Sequence, residues 1–133
     1  MTYLTGLLKQ TDHTSAIQSF VIACSDETTL LTTGTKVTFR MPYQFIVTEV
    51  RASLTTVATG STVIIDINEA GTTILSTKIT IDANESTSTT ASTPPVISDS
   101  ALADDAQMTI DIDQIGSSNA GKGLKVYIIG KIA

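Results

Sequence analysis

Side chains that switch between apolar and polar at every second position constrain this chain's fold more than any other feature. Val37, Phe39 and Met41 alternate with Lys36, Thr38 and Arg40. Ile46, Thr48, Val50, Ala52 and Leu54 share a face opposite Val47, Glu49, Arg51 and Ser53. Val63, Ile65 and Ile67 oppose Thr62, Ile64, Asp66 and Asn68, while Ile79 and Ile81 oppose Lys78, Thr80 and Asp82. Met108, Ile110 and Ile112 oppose Thr109, Asp111 and Asp113; Leu124, Val126 and Ile128 oppose Lys125, Tyr127 and Ile129. A strand turns successive side chains to opposite faces, so each run predicts a strand with one buried face. Adding Phe20–Cys24 and Thr73–Leu75 gives about eight strands.

Turn signals separate the runs: Thr33-Gly34, Met41-Pro42, Thr59-Gly60, Ala70-Gly71, Asn84-Glu85-Ser86, Gly116-Ser117 and a hairpin at Gly121-Lys122-Gly123. Their spacing of roughly 8–12 residues predicts an all-β antiparallel fold, a β-sandwich or a barrel. The strand–helix rhythm of a parallel α/β fold is absent from the sequence. One helical turn is predicted, Ser98 to Ala106, capped by Ser98 or Asp99. Residues 1–18 show no strict period and read as an N-terminal arm carrying Tyr3, Leu4, Leu7, Leu8 and Ile17. Residues 19–133 form the predicted β domain. At 133 residues the chain suits one domain.

Composition narrows the function classes. Charged residues are 16% of the chain, below the usual ~25%. Hydroxyls stand in their place, with 24 threonines and 13 serines; β-branched threonine suits a half-exposed strand face. The net charge is −5 and the eight Lys and Arg residues are scattered, which argues against a nucleic-acid partner. No apolar run approaches the ~18 residues of a membrane span. The N-terminus lacks a basic stretch followed by an apolar one, so no secretory signal is expected. The single cysteine, Cys24, lies in an apolar run and reads as a buried thiol.

Candidate chemistry is thin. Asp111 and Asp113 share a strand face, and Asp66 and Asp104/Asp105 add further carboxylates. Paired carboxylates serve glycosidases, but any exposed acidic strand has the same spacing, so these read as solvated positions. Asp26/Glu27 or Asp99/Asp104/Asp105 are conceivable calcium donors, yet no D-x-D-x-D-G loop is present. The only histidine, His13, lies in the arm beside Asp12, so no nucleophilic triad can be drawn. With no Trp, and only Tyr3, Tyr43 and Tyr127, a sugar-stacking platform is missing too. No enzyme activity, metal or cofactor is expected.

Val47, Ile64, Tyr127 and Ile129 are apolar residues on nominally polar faces. Either the arm or a loop covers them, or they form a subunit interface. Together with Leu4, Leu7 and Leu8 of the arm they are the candidate interface residues. Closed symmetry is expected of a homo-oligomer built this way.

The stretches Phe20-Val21-Ile22-Ala23-Cys24-Ser25-Asp26-Glu27-Thr28-Thr29 and Thr35-Lys36-Val37-Thr38-Phe39-Arg40-Met41-Pro42-Tyr43 resemble a β-rich module of tailed-phage virion proteins. The similarity continues through Val50–Thr55, Ile74–Lys78, Thr93–Asp99 and Ile110–Gln114, and leaves out the arm. No catalytic residues come with it. Starting at Met1 and ending soon after its last strand, the chain looks like a free-standing form of the module. The resemblance then implies a capsid decoration, or cement, protein: a trimeric jelly-roll, made in the host cytoplasm and seated on the capsid surface. Its partner would be the major capsid protein, with the arm anchored on the shell or clasping a neighbour. Similar modules also sit on tail fibres, where the loops Glu85–Thr93 and Ser117–Lys122 would instead touch host surface glycans.

Overall fold

A computed structural model describes residues 16–133. Leu4, Leu7, Leu8 and His13 lie outside the described residues. In chain order the strands are β1 (Gln18–Ala23), β2 (Gly34–Arg40), β3 (Phe45–Ser53), β4 (Val63–Glu69), β5 (Thr72–Thr73), β6 (Leu75–Thr77), β7 (Ile79–Ile81), β8 (Val96–Ile97), β9 (Ala101–Leu102), β10 (Gln107–Gln114) and β11 (Lys125–Ile132). One sheet has the order β1-β11-β3-β9. The other has the order β2-β10-β4-β5, with β7 also on β4. Every pairing is antiparallel. The two orders run side by side: β1 feeds β2, β10 feeds β11, and β3 feeds β4. A ribbon of paired strands rolled up once gives that arrangement, so the fold is an all-β jelly-roll sandwich.

Seven of the predicted strands are present, the eighth, Thr73–Leu75, splits into β5 and β6, and β8 and β9 are added. β5 and β7 share one edge of β4, because Ile74–Lys78 leaves the sheet between them and β6 pairs with β8 instead. The predicted helical turn at Ser98–Ala106 does not form. Ala101–Leu102 pairs with Phe45–Ile46 as an edge strand. The Asp99 carboxylate accepts the Ala101 N–H at 3.2 Å, and Asp105 takes a left-handed conformation (φ 59°) that closes a tight turn. Gly121-Lys122-Gly123 is likewise no hairpin. It belongs to the crossing from β10 in one sheet to β11 in the other, and Lys122 bridges to Thr56.

The inward positions of both sheets meet in one core. Val63, Ile65, Ile67, Ile79, Ile81, Met108, Ile110, Val126 and Ile128 are fully enclosed there, with Phe45 and Leu102. Burying one such side chain contributes roughly 1.5–3 kcal/mol, which is why strict alternation governs these strands. Phe20, Tyr43 and Phe45 close one end, with the Phe20 and Phe45 rings edge-on at 5.1 Å.

β3 breaks its own alternation. Ile129 lies opposite Glu49 but Gly130 lies opposite Val47, so Thr48 is an extra residue bulged out of the pairing. The bulge flips the phase, and Phe45 and Val47 point inward together with Val50 and Ala52. The first and last strands are neighbours, Gln18 facing Gly130. Chain entry and chain exit therefore share one pole of the roll.

Candidate functional site

The outer face of the β1-β11-β3 sheet holds the most open apolar group among the described residues. Antiparallel register lines up Val21, Tyr127 and Arg51 across three strands, and Ser19, Ile129 and Glu49 in the next rung. Val21 is 61% exposed, and Ile17, just before β1, is 70% exposed. Tyr127 and Ile129 are half-buried between them and the β3 side chains. The Tyr127 hydroxyl lies 3.0 Å from Ser53 Oγ, which holds the ring down on the sheet. Arg51 donates its Nε–H to Glu49 at 2.5 Å, and that carboxylate holds the guanidinium above its ordinary pKa. The patch is thus apolar on β1 and β11 and edged by one ion pair on β3.

Beyond β3 the sheet has a gap. β9 covers only Phe45 and Ile46, and the Val47 N–H reaches the Ser100 carbonyl at 2.8 Å. At the other end the Ala52 N–H donates to Ser88 Oγ at 2.9 Å, and the Leu54 N–H to the Ser86 carbonyl at 2.8 Å. A 3₁₀ turn at Ser88–Thr90, capped by the Thr87 hydroxyl, presents Ser88 to that edge. Between these points, along Thr48–Arg51, a groove of about 580 Å³ opens, walled by Pro94, Pro95 and Val96. A smaller trough continues it past Thr89 and Arg51 to Tyr127 and Ile129.

The candidate interface residues are dispersed by the fold. Tyr127 and Ile129 come together. Val47 must be corrected: it is 3% exposed, a core residue, because the Thr48 bulge turns it inward. Ile64 sits on the outer face of the opposite sheet, half-buried between Thr80 and Gln114. Val21 and Val96, the latter 50% exposed, were not singled out from sequence. Val21 lies in an unbroken apolar run, where no polar neighbour marks which face is outside.

The acidic residues are engaged in local structure. Asp66, 6% exposed, accepts the Thr73 hydroxyl and lies 3.5 Å from Lys78 Nζ. Lys78 also meets Asp113 at 2.5 Å, and this contact raises the lysine's pKa. Asp111 accepts from the Thr35 hydroxyl and from Asn68 Nδ2. Asp26 accepts the Thr28 and Thr29 N–H groups and the Thr29 hydroxyl, bonds that hold its carboxyl below the usual range. Glu27 is held low chiefly by Lys125 and then by the Thr55 hydroxyl. Asp105 lies 3.6 Å from Arg40. Among the described residues no three His, Cys, Asp or Glu side chains converge as metal ligands. Burial pushes the Cys24 thiol up to about 12, far from a reactive thiolate.

No family model matches the chain, and no curated protein matches it. A solved structure of the Gx strain of infectious bursal disease virus aligns with it at 11% identity and a TM-score of 0.38. The alignment covers 88% of this chain and 37% of that one, so this chain spans little more than a third of its length.

Proposed function

We propose that this chain is a structural protein of a tailed-phage virion, a homotrimeric cement protein that binds the major capsid protein on the outside of the shell. The observation that carries the reading is the apolar group of Ile17, Val21, Tyr127 and Ile129 on one outer sheet face. Contiguous exposed apolar surface marks association sites. The resemblance of Phe20–Tyr43 and the later stretches to phage virion modules points to the same class. The protein acts by binding and not by catalysis, its carboxylates serving turns and cross-strand networks. The mechanism is mass action: a protein that binds only the assembled shell stabilises it by RT ln(1 + [L]/Kd), about 2.7 kcal/mol per site at a hundredfold excess over Kd.

The test is to titrate the purified protein onto expanded, undecorated capsids and heat them. Saturable binding with a raised melting temperature is expected. Unchanged melting with no bound protein rejects the reading. The groove beside Thr87–Val96 favours a second reading, a tail-fibre tip that holds host glycans. Labelled protein that sticks to host cells and not to capsids would establish that alternative.

A further inference from the structure

The gap along β3 leaves a stretch of strand edge that no other strand pairs. Ala52 turns its N–H away from β11 and toward Ser88, and Val50, two residues earlier, turns its backbone the same way. The Val50 N–H and C=O therefore face the groove, where β9 pairs no further than Ile46, although Val50 is only 3% exposed. A buried strand edge left open in this way is a template for an added strand. The walls supplied by Pro94, Pro95 and Val96 suit apolar side chains on that strand.

We infer that the groove receives the N-terminal arm of a neighbouring copy, with Tyr3–Leu8 laid along Thr48–Arg51 of β3. This rests on the homo-oligomeric part of the proposed function. Tyr3, Leu4, Leu7 and Leu8 lie outside the described residues, in a stretch with no charged side chain before Lys9. Nine residue-to-residue steps lead from Leu8 to Ile17, an extended reach of about 30 Å at ~3.3 Å per residue. The arm leaves from β1, at one edge of the sheet, while the gap lies at the other edge beyond β3. β1 and β3 run in the same direction, both antiparallel to β11, so the arm departs from the pole where β3 begins. Donor and acceptor on opposite edges make a heterologous, copy-to-next-copy contact, which closes into a ring in a trimer.

The experiment is a cysteine pair in the full chain, Leu7→Cys with Val96→Cys, oxidised mildly and run without reductant. Cys24 is buried and contributes no background. Dimer and trimer bands that need both substitutions are expected. Light scattering of the unsubstituted protein runs alongside. An oligomer without cross-links overturns the docking and leaves the oligomer standing; a monomer overturns both. A cross-link confined to the monomer band means the arm folds onto its own chain and also overturns the inference. Adding excess major capsid protein during oxidation tests the remaining occupant: loss of the bands gives the groove to the shell and overturns the docking. Leu7→Asp/Leu8→Asp, which leaves the β domain untouched, is expected to weaken self-association at least tenfold; unchanged self-association overturns the docking.

Discussion

A Cβ on Gly130 would lie 1.9 Å from the Ile46 carbonyl oxygen, closer than any real contact. Only glycine lets β3 and β11 approach at the bulge. Gly130→Ala is therefore expected to destabilise the fold by about 1–3 kcal/mol, the usual cost of overpacking; an unchanged urea midpoint would refute that account. In contrast, Ile65→Ala removes fully buried methyls and is expected to cost about 2–5 kcal/mol in the same measurement. Asp26 gives a pH signature. Its folded pKa lies below the ordinary 3.8, so its stabilisation is present above that value and lost as pH falls through the lower folded one. Asp26→Ala should lower Tm at neutral pH, and the gap to the unsubstituted protein should close as pH drops below about 3.8. A gap that stays constant down to pH 2 would contradict the hydrogen-bonded turn. Gly130 also explains the misplaced Val47. Alternation alone put Val47 with Glu49, yet a glycine inside a strand pattern is itself the mark of a bulge.

Strand edges differ in their protection. β2, the free edge of its sheet, carries Lys36 and Arg40, the charges that discourage further pairing. β1, the free edge of the other sheet, has the sequence Gln-Ser-Phe-Val-Ile-Ala, with no charge and no proline. Val21→Lys puts a charge on that outer face without touching the core. It is expected to change stability by no more than about 0.5 kcal/mol while weakening the proposed capsid binding at least tenfold. Full retention of binding would remove β1 from the contact. The long strands were legible because several turns of the two-residue period repeat along them. β8 and β9 were not, since two residues show no period. Ala101–Leu102 looked helical because Asp99 is a good cap; its carboxylate instead closes a local turn, and pairing to Phe45–Ile46 decides the outcome.

At the scale of the molecule, the class and the inner faces were readable because burial is periodic. Which outer faces coincide was not, because no local pattern says which sheet a strand joins. Ile64 and Tyr127 both look like apolar residues on polar faces, but β4 and β11 belong to different sheets and present them to opposite sides. The open patch is apolar and the chain's charge of −5 is spread elsewhere, so the proposed docking to the shell should be nearly salt-independent. Binding measured from low to high ionic strength is expected to change by less than about threefold, well short of the decades lost by charge-driven association. The pairing of Gln18 with Gly130 has a practical corollary. Any sequence fused to Ala133 emerges beside the root of the arm and competes for the same ground. Cargo inserted near Ser117–Ser118, at the far pole, would project into open solvent, which makes that loop the place from which to display a foreign epitope.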